Sequence, residues 1–440
     1  MAVSLLLWVL VLLVALIAVR QQQTSLGLPL AYLTGLMLIH VPGGLVHWLN
    51  PGLFQTSVEV AQGLRLSALA AVAFLAGLLL SLQTDHRPAA DRPGRSPLQR
   101  QVRGRRQRWT RLPFWRFCLI GGLSCAFLLT PLLAIPSLAA VVSTGSAIWM
   151  LGSLLAIRRF SQQQRDQLPA WLLATMAYPS LTLMLGGFLS YGTAALINTL
   201  AVLLVSLRGI GRVLFAYALA LLLALSVFTA YFQNRNSLRD AVWGGAPLPQ
   251  RTAALSAIVA DLHLFDPYAE ADARATDERL NQNYFLGLAE NRLRSGGFSP
   301  LAGRSLWEAI TALVPRMLWP DKPVSAGSGT LVSEATGLVL SDTTSFGIGN
   351  VMEAYLNFGT TGILLFFCGF GYVLSWLDRS AFLAEQRGDI QLLLSTFLPA
   401  VALIQPNGSF VELTAGAAAA WLAARFWAWL WQQRPVRPSP

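Results

Sequence analysis

Runs of apolar residues long enough to cross a bilayer recur along this chain of 440 residues, and short polar turns separate most of them. A membrane helix needs roughly 20 mainly apolar residues. The pattern predicts about eleven spans, near 3–19, 26–47, 63–82, 117–135, 137–157, 168–188, 190–207, 213–232, 356–376, 390–405 and 410–431. In the pair at 168–207, Pro179, Gly186, Gly187 and Gly192 leave open a broken or re-entrant segment instead. The first run has no preceding cation and no small-residue cleavage site before Arg20, so it is expected to stay as a helix. Two polar stretches interrupt the series, a basic one at 83–116 and a much longer one at 233–355.

Within 233–355 the pattern changes to short amphipathic segments. Apolar positions at helical spacing predict helices over 252–264, 277–294 and 305–313, the second stopped by Gly296-Gly297. The third is expected along the membrane surface with Leu306, Trp307, Ile310 and Leu313 inward. A connection this long is expected to fold and to work. The resulting fold class is an all-α polytopic membrane protein. It has a bundle of about eight spans (1–232), one large, mainly helical loop (233–355) and a bundle of about three spans (356–440).

Composition agrees: 54% of the residues are hydrophobic and only 12% charged, against about 25% charged in soluble domains. Orientation follows from arginine, because basic residues stay on the cytoplasmic side. Residues 83–116 hold ten arginines against Asp85 and Asp91, and every second turn counted from there is also basic. This predicts an N-terminus outside, a cytoplasmic C-terminus and 233–355 outside. The net charge of +11 is then topogenic and matches anionic headgroups, not nucleic acid. Residues 83–116, rich in Arg, Pro and Gln, are expected to be disordered and lipid-associated. Three cysteines and four histidines show no metal-ligand spacing, so neither a metal nor another cofactor is implied.

Candidate chemistry gathers outside. The only lysine, Lys322, lies in Pro315-Arg316-Met317-Leu318-Trp319-Pro320-Asp321-Lys322-Pro323, where three prolines limit the backbone around two cations and an acid. With Arg292 and Arg294, these cations could hold phosphate oxygens, arginine bidentately and lysine as a point charge. For each one alone, a solvated or salt-bridged side chain is the plainer alternative. Arg65 is a cation on the non-basic side of the pattern: it either contacts headgroups, pairs with Glu59 or serves an anionic substrate. Glu353 stands just before an apolar span, where burial would make it a usable base; a hydrated interfacial carboxylate is the alternative. Glu412 has a similar place; Asp321 is a second candidate catalytic acid, with an ion pair with its neighbours as its default; His263 has a surface position and Arg425 a snorkelling one as theirs.

The segment 315–323, the Gly/Ser-rich stretch after it, and Glu353-Ala-Tyr-Leu-Asn-Phe-Gly359 before an apolar span resemble the Wzy-type oligosaccharide repeat-unit polymerases of O-antigen and exopolysaccharide synthesis. The specific likeness covers about 290–375; the rest is matched by topology. It implies a metal-independent, inverting glycosyltransferase of the GT-C type in a bacterial inner membrane. Such an enzyme moves a glycan from undecaprenyl diphosphate to a new lipid-linked repeat unit, alongside a chain-length regulator and a flippase. By the same resemblance Arg316 and Lys322, with Arg292 or Arg294, engage the diphosphate, and Glu353 is base or sugar ligand. Fixed cations there would stabilise the charge that grows on the leaving group. Many members carry a second sizeable exterior loop; here only 405–408 separates the last two spans. Ligase chemistry on the same donor, and transport of lipid-linked sugar, remain open alternatives.

Overall fold

Glycine decides where the helices of this protein can meet. A computed structural model describes residues 1–22, 24–84, 113–129, 132, 141–163, 171, 197, 200, 209–314, 319, 328–339 and 347–433. Among these residues the regular structure is helical, with no strand. Six helices are long and apolar enough to span a membrane: Ala2–Gln21, Leu28–Leu49, Ser57–Gln83, Val141–Phe160, Ile210–Trp243 and Asn350–Arg387. Phe114–Ala126 and Ile390–Leu403 are shorter apolar helices. The chain is a helical membrane protein. The expected spans at 168–207 and most of the basic stretch 83–116 lie outside the described residues.

The centre is the pairing of α4 (Ser57–Gln83) with α13 (Asn350–Arg387). A Cβ on Gly77 would overlap the carbonyl oxygen of Cys368, and one on Gly371 would overlap that of Phe74. Hydrophobicity does not drive helices together in lipid, so such close backbone approach through small residues supplies the packing. Around it, Tyr32 of α2 (Leu28–Leu38) stacks on Phe74 at 5.0 Å and meets Phe370 edge-on at 4.8 Å. Phe366 then stacks on Phe410 of α15 (Phe410–Gln432) at 4.3 Å. The Tyr32 hydroxyl donates to Asn350 Oδ1 at 2.7 Å, and Asn350 Nδ2 donates to the Gly408 carbonyl at 2.8 Å, so the buried polar groups are paired.

Two of the long helices are broken, and the first break is filled by another helix. Between α2 and α3 (Val41–Leu49) the Ile39 carbonyl is freed, and the His40 carbonyl, which accepts from Gly44 N at 3.2 Å, is open to a second donor. They accept from Gln282 N at 2.9 Å and Asn283 Nδ2 at 2.6 Å, both at the start of α10 (Gln282–Arg294). Irregular backbone at membrane depth needs such internal partners. In α13 the helix is interrupted at Phe358 (φ −141°, ψ 25°) and Gly359 (φ 61°, ψ −146°). Asn350–Asn357 is therefore a separate, wholly buried helical piece, and Gly359 permits the left-handed turn.

Asp378, far down α13, performs the same service for α2. Its Oδ1 accepts from Leu26 N at 3.1 Å and Leu28 N at 3.2 Å, and the Ser25 hydroxyl donates to its Oδ2. Asp378→Ala would leave these donors buried and unpaired, for a loss of about 2–4 kcal/mol. Asp378→Asn keeps one carbonyl oxygen for the two amides and should lose less. Thermal unfolding in detergent should rank wild type above Asn above Ala; an unchanged Ala variant would dismiss the cap.

The polar segment folds onto the bundle. Its helices are α8 (Leu248–Ala260), α9 (Glu270–Arg279), α10, α11 (Arg304–Ala312) and α12 (Ser328–Thr336). One hydrophobic cluster runs from Trp8 and Phe74 through Leu286, Ala289, Ala309 and Val332. The single helix expected over 277–294 is two, because Leu280 and Asn281 leave helical geometry (φ −111° and −132°). Asn281 there bonds back to Asp277 at 2.6 Å and lies against Gly43, which lets α10 enter the α2–α3 break. In α11, Trp307, Ile310 and Leu313 face away from the protein at 61%, 58% and 47% exposure, while Leu306 packs on the core.

α9 is fastened by two histidine–aspartate contacts. His47 Nε2 lies 2.7 Å from Asp277 Oδ1, and its Nδ1 lies 3.0 Å from the Ser57 hydroxyl. His263, on the loop before α9, places Nδ1 2.9 Å from the Asp261 carbonyl and Nε2 3.0 Å from the buried Asp272. Both His263 nitrogens face acceptors, which only the imidazolium satisfies. The Asp261 carbonyl first, then Asp272, therefore raises its pKa above the ordinary 6.5. The stabilisation is complete below the unfolded pKa and fades as pH rises through the folded one. Proteolysis of the 261–272 loop should be slower at pH 6 than at pH 8.5, and His263→Gln should remove the difference. A pH-independent rate in the wild type would contradict the contact.

Candidate functional site

The end of the bundle on which the 233–355 segment folds holds a pair of arginines joined through one acid. Two glycines create it. A Cβ on Gly63 would strike the Asn283 carbonyl, and one on Gly287 would strike that of Glu59, so α4 and α10 meet backbone to backbone. With the start of α10 held in the α2–α3 break, its third turn brings Glu290 beneath Arg65 of α4. Arg65 Nη2 donates to Glu290 Oε1 at 2.9 Å, and Arg294, one turn further along α10, reaches the same oxygen at 2.7 Å. Glu290 is fully buried, whereas the arginine side chains are 61% and 63% exposed. Its Oε2 has no hydrogen-bond partner among the described residues.

The sequence had offered Glu59 as the partner of Arg65; in the fold that partner is Glu290, 225 positions away. Nothing local marks Glu290 as that partner. The only trace of it in the sequence is its i,i+4 spacing to Arg294, a common surface pattern. Two guanidinium groups on one carboxylate leave an excess positive charge. Fixed at one end by a buried acid, they keep their outer N–H groups free for a planar or tetrahedral oxyanion.

Arg292 does not join the pair: its Nη2 donates to the Gly297 carbonyl at 3.0 Å, and its guanidinium lies against Gly337, whose missing side chain makes room for it. Arg316, Asp321 and Lys322 lie outside the described residues, as does 341–346. Their flanks are placed. Residue 314 follows α11, which is fastened to α15 by Thr414 Oγ1 donating to the Ala309 carbonyl at 3.0 Å. Ser328, opening α12, has its hydroxyl 3.4 Å from Glu412 Oε1.

Glu353 is buried, at 1% exposure. Its Oε2 accepts from Phe410 N, the first amide of α15, at 2.7 Å, and the Ser305 hydroxyl also donates to the carboxylate. A carboxylate at a helix N-terminus meets both unpaired N–H groups and the positive end of the dipole. Asn357 completes the joint: its Nδ2 donates to Ser305 Oγ and to the Glu353 carbonyl, both at 2.8 Å, and its Oδ1 accepts from Gly303 N at 3.0 Å. The Glu-Ala-Tyr-Leu-Asn-Phe-Gly run thus ties α11, α13 and α15 together. Glu412, exposed on α15, forms a capping box with Ser409. Among the described residues no group of three His, Cys, Asp or Glu side chains is placed to hold a metal ion.

No protein-family model, curated protein or solved structure matches the chain.

Proposed function

We propose that this protein is a repeat-unit polymerase of lipid-linked oligosaccharides, of the Wzy type, with about eleven spans, its N-terminus outside and 233–355 on the outer face of a bacterial inner membrane. The observation that carries the reading is the convergence of Arg65 and Arg294 on Glu290, a fixed cationic pair at the end of the bundle where the polar segment folds. The pair would receive the diphosphate of the undecaprenyl-linked donor. By the resemblance of their segment, Arg316 and Lys322 would serve the same diphosphate.

In the reaction an acceptor sugar hydroxyl attacks the anomeric carbon and a new glycosidic C–O bond forms. The bond to the diphosphate oxygen breaks, and undecaprenyl diphosphate leaves with the electron pair. The arginines offset charge that grows on the leaving oxygen, which lowers the barrier more than it strengthens substrate binding. The hydroxyl proton passes to a carboxylate, for which Asp321 is the candidate on the cationic segment. Glu353, closed in by Phe410 N and Ser305, suits a positioning role for α11.

A gel of lipid-linked and surface glycans from cells with and without the protein tests the assignment. Loss of long chains with single repeat units left outside supports a polymerase. Long chains retained on their carrier would make it a ligase, and repeat units held inside would make it a transporter. Arg316→Ala should abolish polymer at an unchanged protein level; normal polymer from that variant would remove Arg316 from the site.

A further inference from the structure

At the opposite end of the bundle, where the arginine-rich stretch 83–116 runs into the membrane helices, there is a cavity of ≈ 320 Å³. Its walls are the start of α5 (Phe114–Phe127), the last turns of α6 (Gly145–Gln163) and the last turn of α13. Leu155, Arg158 and Arg159 come from α6, Phe114 and Trp115 from α5, and Glu385 from α13. Arg158 is held in place: Nη1 donates to Glu385 at 2.8 Å and the guanidinium lies over the Phe382 ring at 4.7 Å. Arg159 beside it is exposed and has no ion pair among the described residues. Arg158 and Glu385 cancel, so the cavity keeps the charge of Arg159.

One further feature favours an anion. α5 begins after Pro113, which supplies no side-chain cap, so the first amides of the helix lack intrahelical acceptors where they border the cavity. The depth favours a lipid. α6 and α13 are spanning helices that end here, and Phe114 packs edge-on against Trp431 at 5.0 Å, within the aromatic layer expected at headgroup level. The volume lies at the low end for small-molecule sites, enough for a phosphodiester and a small polar headgroup.

We infer that this cavity binds the phosphodiester headgroup of one anionic phospholipid in the leaflet that faces the basic stretch. Arg159 and the start of α5 hold the phosphate, Arg158 is kept in place by Glu385, and Phe114 and Leu155 line the apolar side. The inference does not depend on the proposed enzymatic activity.

Native mass spectrometry of the full chain in detergent tests it, with phosphatidylglycerol, phosphatidylcholine and inorganic phosphate as probes. One phosphatidylglycerol should survive collisional activation on the wild type, where phosphatidylcholine is lost. Arg159→Gln should weaken that retention at least about fivefold, the ratio expected for one arginine at an anionic surface. Leu155→Trp, which fills the cavity and keeps every charge, should weaken it as well. Equal retention of the two lipids by the wild type would overturn the inference, as would both variants holding phosphatidylglycerol like the wild type. Displacement of the lipid by millimolar phosphate would assign the site to a soluble phosphate compound instead.

Discussion

Gly77→Val should prevent the protein from accumulating in the membrane as a folded species. The Cβ alone would overlap the Cys368 carbonyl and come within 2.9 Å of Tyr372 N, and both obstacles are backbone. No rotamer change relieves such an overlap, so α4 and α13 must separate. Separation also withdraws Phe74 from Tyr32 and Phe370. The expected cost is about 3 kcal/mol or more, at the top of the range for overpacking, and a large part of a typical margin of about 5–15 kcal/mol. Gly371→Val should fail in the same way, because its Cβ meets the Phe74 carbonyl. Gly369, two residues earlier on α13, has nothing within 4 Å of its Cβ position, so Gly369→Val should accumulate normally. Size-exclusion profiles and thermal unfolding of the three variants decide it. Wild-type behaviour from Gly77→Val would mean that the α4–α13 contact is not the centre of the fold.

Glu290→Ala should reduce polymer about 100-fold while leaving the protein in the membrane. The buried carboxylate is the one fixed point shared by Arg65 and Arg294. Without it both guanidinium groups remain charged and exposed but take up many positions, and misplacement by about 1 Å can cost about 10²-fold in rate. The effect on stability should be small, since the arginine ends of these pairs are solvent-screened. Arg65→Ala and Arg294→Ala should each lower polymer, and Arg65→Lys should restore it only in part, because an ammonium keeps the charge but not the fork. Adding either arginine substitution to Glu290→Ala should change little, as expected for groups that act as one unit. The readout is polymer per unit of membrane protein. Wild-type polymer from Glu290→Ala would show that the convergent pair has no part in the reaction.

The helices and the site differ in how far local sequence specifies them. The amphipathic helix over 305–313 is found at Arg304–Ala312, and the stop at Gly296-Gly297 falls where α10 ends, since local spacing and glycine carry both signals. The helix expected at 252–264 begins four residues earlier, where Pro249 occupies an early helical position that needs no N–H donor. Arg65 was marked by its place in the charge pattern, yet its partner was not, because nothing local connects residue 65 to residue 290. Glu353 and Asn357 stood in a recognisable run, and their hydrogen bonds to Phe410, Gly303 and Ser305 came only with the fold.

By itself the sequence determined that the chain is helical and enters a membrane, and where most of its described helices lie. Those properties depend on hydropathy summed over a window and on residues a few positions apart. The tertiary structure alone decided that α2–α3 and α13 are broken, that α10 fills the first break, and that Arg65, Glu290 and Arg294 meet. The last two depend on close approach at glycines: Gly43 leaves room for Asn281, and Gly63 and Gly287 let α4 and α10 meet backbone to backbone. A glycine in an apolar run looks the same whether it faces lipid or another helix, so the contact it permits exists only once both helices are in place.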